Sequence, residues 1–394
     1  MILALNVGSS SIKFAVFAMH ETESPPSQHC RGEIEGIGGQ THFFMRPAAE
    51  QPGKHKAVRK TISAGNHAEA LQYILNWLEE NESGLQFIAV GHRVVHGGIH
   101  FRQPVKVDAA VMQEMEMLTP LAPLHQPHAL RAIKALISLR PEIPQVACFD
   151  TGFHTNMPRV EQIFALPRVL EMKGIRHYGF HGLSYESIAF QAPEYLGDAA
   201  EGRVVVAHLG HGVSLCAMKK RKSIATSMSF TPLDGLPMGT RCGSIDPAIV
   251  LYLLREEGMT PDEISDLLNH QSGLLGMSGI SGDMSTLLAS QCAEGAEAID
   301  VFVYRVGREI ASLAAAMGGL DALVFTAGIG ERSIAIRARI CHAAAWLGVM
   351  LDDAANHAGG PRISMERSPV SAWVIPTDEE QVIARHAAAL ILKQ

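Results

Sequence analysis

A chain of 394 residues, 47% of them hydrophobic, is long enough to bury a sizeable core in two or three domains. Its formal net charge of -7 excludes nonspecific binding to nucleic acid or to an anionic membrane surface, so any anion site has to be local. The six cysteines (Cys30, Cys148, Cys216, Cys242, Cys292, Cys341) contain no C-x-x-C pair, which excludes a zinc knuckle or redox motif and fits a reducing cytoplasm. The first residues lack the basic n-region of a signal peptide and enter directly into strand pattern, so no secretory leader is expected. The longest apolar stretch, 311–330, is broken by Gly318, Gly319 and Asp321 and reads as a helix end followed by a strand, so no membrane span is expected.

In chain order, the first predicted element is a β-hairpin. Apolar Ile2 to Leu5 meets Asn6-Val7-Gly8-Ser9-Ser10-Ser11 and leaves through Ile12-Lys13-Phe14-Ala15-Val16-Phe17. Gly8 permits a tight turn, Ser9 to Ser11 offer hydroxyl and N–H groups, Asn6 an amide oxygen and Lys13 a cation, the inventory of a phosphate grip. An ordinary Gly/Ser turn with an exposed lysine is the alternative. Residues 24–60, rich in proline and glycine, read as a hairpin-rich insertion or a loop. Asn66 and Glu69 form a capping box for a helix whose Leu71, Ile74, Leu75 and Leu78 share one face until Gly84. A strand over 87–90 delivers Arg93 just past its end, amid the glycines of Gly91-His92-Arg93-Val94-Val95-His96-Gly97-Gly98. A helix carrying Leu130, Ile133, Leu136 and Ile137 ends at Pro141, and a strand over 145–149 delivers Asp150. Ligands of open α/β sheets bind beyond the carboxyl ends of strands, so Arg93 and Asp150 are expected to line one cleft.

The second half repeats the scheme. Val204 to Ala207, His208-Leu209-Gly210-His211-Gly212 and Val213 to Met218 form another strand, polar turn and strand, and Ala322 to Gly328 resembles Phe87 to Arg93. Such repetition implies two related domains facing each other across a cleft, and two phosphate-gripping hairpins imply a nucleotide. Tyr178-Gly179-Phe180-His181-Gly182 and Pro237-Met238-Gly239-Thr240-Arg241-Cys242-Gly243 each hold one functional side chain among glycines. Two arginines, a histidine and an aspartate suit phosphoryl transfer, with magnesium supplying further positive charge. His177 and His181 at i,i+4 suggest zinc, but Gly179 between them opposes a helix. Phe325 to Arg332 reads as strand, glycine turn and helix start. Thr377 and Glu380 form a capping box for the last helix, which leaves Glu379 over as a metal ligand.

These blocks, taken together and in this order, resemble the acetate kinase family of the acetate and sugar kinase, heat-shock protein 70 and actin superfamily. GHRVVHGG, FDTGFH, YGFHG and MGTRCG carry the resemblance, which spans the chain. It implies an α/β fold of two duplicated actin-like (ribonuclease H-like) domains with mixed central sheets and a cleft between them, residues 1–151 with 383–394 and residues 152–382. It also implies a cytoplasmic homodimer, joined through the C-terminal domain, that binds neither nucleic acid nor membrane and transfers phosphate reversibly between ATP and acetate or another short carboxylate, giving acetyl phosphate and ADP. The family's roles fall on Asn6 and Glu379 for Mg2+, with Mn2+ able to substitute, and on Lys13 and Ser11 for the nucleotide phosphates. Arg93 binds substrate and Asp150 orients it and the metal. His181 and Arg241 stabilise the transition state, with His125 close by. The segment His208, Leu209, Gly210, His211 and Gly212, together with Asp283, Met284 and Ser285 and with Gly328, Ile329, Gly330, Glu331 and Arg332, holds ATP. Val95, Leu124, Phe180 and Pro232 form the methyl pocket, which favours acetate.

Four positions depart from the family pattern. His211 and Arg332 stand where it has Asn, Ser285 where it has Arg, and Ser244 where it has Asp. Three of the four touch the nucleotide side, and none removes a phosphoryl-transfer residue. Propionate kinase is the nearest alternative, since one methylene alters pocket binding by only about 1–3 kcal/mol. A nucleotide-gated binding module without an acceptor is a second, and would not need Arg93, His181 and Arg241. An acyl-phosphate hydrolase, requiring a positioned water, is a third.

Overall fold

The computed structural model describes residues 1–19, 25–48, 57–82 and 86–392. The chain divides into two compact units, Met1–Gly152 with Asp378–Gln394, and Phe153–Thr377.

The first unit is built on an eight-stranded mixed sheet. Strands β1 (Ile2–Val7) and β2 (Ser11–Ala18) form the expected antiparallel hairpin, with Asn6 opposite Lys13. The described residues of the 24–60 region form a hairpin extension of the sheet: β3 (Ser27–Glu35), β4 (Thr41–Pro47) and β5 (Val58–Ile62) continue it antiparallel. Ser24, the stretch 49–56 and Gly84 lie outside the described residues. Helix α1 (His67–Asn81) starts where the capping box predicts, the Asn66 side chain accepting from the Glu69 N–H. Its Leu71, Ile74, Leu75 and Leu78 pack on Leu3, Leu5, Phe14 and Phe43 of the sheet. Strand β6 (Ala89–Val94) is parallel to β1. It runs four residues beyond the predicted end, because β1 pairs with it as far as His92 and the next parallel strand as far as Val94. Arg93 is therefore on the strand, not past it. After β7 (Val105–Lys106) and α2 (Ala109–Met117), helix α3 (Gln126–Leu139) buries Leu130, Ile133 and Leu136 while Ile137 is exposed. Strand β8 (Gln145–Phe149) completes the parallel set, giving the order β5-β4-β3-β2-β1-β6-β8-β7. The C-terminal helix Glu379–Leu392 packs on β1 and β6. Gly91 makes that approach possible, since a Cβ there would lie 2.4 Å from Ile383 Cγ2.

In the second unit, the short helices α4 (Arg159–Gln162) and α5 (Arg168–Met172) precede α6 (Gly182–Leu196). Strands β9 (Arg203–Leu209), β10 (Val213–Lys219) and β11 (Lys222–Thr226) form an antiparallel meander. Helices α7 (Pro247–Arg255), α8 (Pro261–His270), α9 (Gly273–Ser278) and α10 (Met284–Ala289) lead into the long α11 (Ala293–Met317). Gly318 at φ 73 ends α11 and a strand, β12 (Ala322–Thr326), follows, as the broken apolar stretch predicts; β12 runs parallel to β9. Helices α12 (Ala327–Arg332), α13 (Ile334–Ala343) and α14 (Asp353–Ala358) precede β13 (Ser371–Val374), parallel to β12; the C-terminal helix is α15. The order β11-β10-β9-β12-β13 reproduces β3-β2-β1-β6-β8 of the first sheet, three antiparallel strands followed by two parallel ones. The internal repetition in the sequence is thus a repetition of topology. The α15 cap differs from the sequence reading: Asp378 Oδ1 accepts from Gln381 N at 2.9 Å. Thr377 instead directs its N–H to Glu331 Oε1.

Candidate active site

In the first unit, parallel pairing aligns the carboxyl ends of β1, β6 and β8, and the side chains there bond to one another. Arg93 donates from Nε to Asp150 Oδ1 at 3.0 Å and from Nη2 to Oδ2 at 2.6 Å, a two-pronged ion pair on a buried carboxylate. Arg93 Nη1 donates to Asn6 Oδ1 at 3.1 Å. Asn6 Nδ2 lies 3.4 Å from Glu379 Oε2, itself 3.8 Å from Arg93 Nε. Burial works against the charge of Arg93, but Asp150 and Glu379 outweigh it and hold the guanidinium above its ordinary range. Burial pushes Glu379 up to about 7; Arg93 opposes the shift while Asp150 and Glu380 reinforce it, and Lys13 opposes it weakly. Lys13 is exposed on β2, across the ladder from Asn6. Ser11 closes the hairpin turn by accepting the Gly8 N–H on its carbonyl at 2.9 Å. Val95, next after β6, is buried, Leu124 is exposed, and His125 occupies the N-cap position of α3. His92, inside the same motif, is structural: it bonds to Gln145 Oε1 at 2.6 Å, and burial pushes it down to about 4.

The donor set here fits a divalent cation. A buried carboxyl that keeps its proton to about neutral pH marks a place short of positive charge, and Asn6, Asp150 and Glu379 offer oxygen atoms only. Among the described residues, no group of three His, Cys, Asp or Glu side chains could hold a metal ion. The arrangement therefore suits an ion whose remaining ligands come from water and substrate phosphates.

In the second unit, the turn from His208 to Gly212 is closed by Gly210 N–H to Gly212 O at 3.0 Å. A Cβ on Gly212 would lie 3.0 Å from His181 Nε2 and 3.4 Å from Arg241 Nη2, so this turn, His181 and Arg241 come together in close contact. His181 sits in the left-handed region (φ 57) at the start of α6, and its ring stacks on His208 at 4.1 Å. Arg241 Nη1 donates to Pro232 O at 2.8 Å. His211 packs its ring against Gly239, whose Cβ would lie 2.9 Å from His211 Cε1. Burial and Arg241 hold this imidazole below its ordinary range, and Asp283 pulls the other way. Phe180, Leu209 and Met284 are buried. Asp283 serves as the N-cap of α10, accepting from Thr286 N at 2.8 Å and from the Ser285 hydroxyl. Arg332 folds back to Gly328 O at 3.2 Å. The first N–H of α12, on Ala327, goes to Glu331 Oε1 at 2.9 Å, so it is the unit's own carboxylate that meets it. His177 packs on Phe164 instead of sharing a helix with His181, since Gly179 and His181 both take positive φ.

Sequence reasoning missed the groups behind these side chains. Ser214 and Tyr185 lie behind His181, Ser184 behind His208, and the buried Arg337 behind α12, whose carbonyls of Gly330 and Glu331 it binds at 3.1 and 2.8 Å. In sequence, Ser214 and Tyr185 are ordinary interior residues of a strand and a helix, and nothing local marks them.

The family model described as the acetokinase family matches residues 1–385. A protein of Rhodopseudomonas palustris (strain ATCC BAA-98 / CGA009) named acetate kinase is 53% identical over 389 residues, covering 98% of this chain and 97% of that protein. The solved structure of a propionate kinase from Francisella tularensis subsp. tularensis SCHU S4 superposes with a TM-score of 0.90 at 38% identity, covering 98% of this chain and 99% of that one. That of Porphyromonas gingivalis acetate kinase gives 0.86 at 34%, covering 99% of each.

Proposed function

The chain belongs to the acetokinase family, and from that premise we propose that it transfers the γ-phosphoryl group of ATP to acetate, reversibly and in line. A carboxylate oxygen of acetate forms the new bond to phosphorus as the bond to the β,γ-bridging oxygen breaks, and ADP leaves with that electron pair. The observation that carries the reading is the Arg93–Asp150 ion pair, held by Asn6 and Glu379 at the ends of three aligned strands. Asp150 fixes the guanidinium plane, so that Arg93 meets a substrate carboxylate in a set orientation. Arg241 and His181, on glycine-flanked turns, neutralise charge on the equatorial phosphoryl oxygens. Lys13, the Ser11 hairpin and the turn from His208 to Gly212 hold the nucleotide phosphates, with the segments at 283–285 and 328–332 around the nucleoside. Val95, Leu124, Phe180 and Pro232 enclose the methyl group. Asn6, Asp150 and Glu379 are the residues to hold Mg2+, or Mn2+ in its place, which when bound lowers the charge on the phosphate oxygens.

The protein acts as a homodimer in the cytoplasm, without nucleic-acid or membrane partners. Helix α7 supports the dimer: it is almost wholly apolar, yet none of its residues is buried, and Ile249, Leu251, Tyr252 and Leu254 are exposed. Leu251→Glu is expected to shift the scattering mass in solution toward the monomer, and an unchanged mass excludes α7 from the interface. All six cysteines are free, in keeping with a reducing compartment. Among the described residues, no helix is long and apolar enough to cross a membrane.

A hydroxylamine trap of acyl phosphate, run with acetate, propionate and butyrate against ATP, GTP and pyrophosphate, tests the reading. Hydroxamate formation highest with acetate and ATP is the expected result. A preference for propionate moves the assignment to the activity for which the Francisella neighbour is named, and the absence of any acyl phosphate overturns it.

A further inference from the structure

Behind His181 lies a chain of buried hydroxyl groups whose protons can be traced one by one. His181 Nδ1 is 2.8 Å from Ser214 Oγ, and the same oxygen bonds to the Tyr185 phenol. Ser214 and Tyr185 are both 0% exposed. Among the described residues, Ser214 is the phenol's hydrogen-bond partner and no second acceptor is in reach. A buried O–H without an acceptor is unfavourable, so the phenol donates to Ser214 Oγ. The single Ser214 proton then goes to His181 Nδ1, which has to accept, and the imidazole proton resides on Nε2, the atom beside Gly212 and Arg241.

We propose that Ser214, whose Oγ accepts from the Tyr185 phenol, locks His181 as its neutral Nε2–H tautomer, which makes Ser214 a positioning residue for the hydrogen bond His181 gives to the transferring phosphoryl group. The role of that bond rests on the kinase reading; the tautomer does not. Protonating Nδ1 would turn its proton onto Ser214, turn the Ser214 proton onto the phenol, and leave the phenol proton without an acceptor. The surroundings agree. The Arg241 guanidinium, on the loop at 237–243, disfavours a second cation. From β9, His208 stacks on the ring and bonds through Nδ1 to Ser184 Oγ of α6 at 2.8 Å. Further back, His154 and Cys216 face Tyr185 without charge, since burial pushes the imidazole down to about 4 and the thiol up to about 12.

Nitrogen-15 NMR of the full chain labelled at histidine reads the tautomer directly, with His181→Asn identifying the signal. In the wild type, the Nε2–H pattern is expected to persist from about pH 8 to about pH 6, where an unrestrained imidazole titrates. Ser214→Ala removes the proton donor to Nδ1, so mixed tautomers and a titration within that interval are expected, whereas Tyr185→Phe leaves Ser214 with Nδ1 as its acceptor and should keep the Nε2–H pattern. The kcat of Ser214→Ala should fall several-fold toward pH 8, where the Nδ1–H form lacks the Nε2 donor, and recover toward pH 6, where the imidazolium regains it, with KM unchanged. An Nδ1–H or imidazolium signal in the wild type at neutral pH overturns the proposal, as does a Ser214→Ala spectrum and pH profile matching wild type or the loss of the fixed tautomer in Tyr185→Phe. The NMR pattern is read without substrate, so a protein with the locked tautomer but no acyl phosphate production refutes the kinase reading alone.

Discussion

The two units share a five-strand core order but place opposite chemistry on it. At the strand ends of the first, Arg93, Asp150 and Glu379 form an ionic cluster with excess negative charge, and Glu379 is poised to titrate at about 7. In the second, Tyr185, Ser214 and His181 form a chain of hydroxyls and an imidazole, with His154 nearby kept neutral by burial. One scaffold therefore offers a site that responds to protons and cations and another that resists them. Binding a carboxylate and a metal needs charges that exchange partners, whereas donating to a phosphoryl group needs a proton that stays in place.

The strongest way to break this division is to remove its cations. Arg93→Ala and Arg241→Ala are each expected to lower turnover by about 10³–10⁵, the range of arginine fingers, with lysine restoring only part because it lacks the planar fork. Near-normal turnover of folded Arg241→Ala in the hydroxamate assay would sink the role of the second unit. Glu379→Gln probes the proton-responsive side. It should weaken metal-dependent activity by at least about 10–100-fold, as loss of metal-site groups does. Without metal, the wild-type carboxyl binds its proton more tightly folded than unfolded, so its contribution to stability is present below the unfolded value, about 4.3, and is lost as pH rises through about 7. The Tm of Glu379→Gln should therefore gain on wild type by a few degrees between those limits and level off above; parallel curves would place Glu379 outside the cluster.

On the hydroxyl side, Ser214→Ala orphans the buried Tyr185 O–H and is expected to cost about 1–3 kcal/mol in denaturant unfolding, while Tyr185→Phe, which leaves Ser214 a partner, costs clearly less. Equal losses would mean that packing, not the proton chain, matters there. The smallest effect is expected at Ser285, exposed and bonded to Asp283. Ser285→Arg supplies a guanidinium able to stack on a base and should lower the KM for ATP with little change in kcat. An unaltered KM would show that this turn does not reach the nucleoside.

Much of the site was legible because turn chemistry is local. Gly8 with its serines, the glycines around His208, and Asp150 just past β8 followed from apolar runs meeting small polar residues. The errors arose where long-range pairing or a competing partner decided. Strand β6 extends through His92, paired by both β1 and β8, and Arg93, paired by β8, although its own sequence turns polar. Asp378 displaces Thr377 as the α15 cap, while Thr377 meets Glu331. Ile137 faces out because the α3 stripe is centred on Leu130, Ile133 and Leu136.

By itself, the amino-acid sequence determined the duplicated strand–turn–strand pattern, the family and the residue types at the strand ends, since periodicity, glycine and capping act over a few residues. The tertiary structure alone decided which charges meet and where protons reside. Asn6 reaches Glu379 across 373 positions, and Ser214 reaches His181 across 33. The raised Glu379 and the fixed His181 tautomer follow from burial and from the count of donors and acceptors around each group, quantities that exist only once the sheets have assembled.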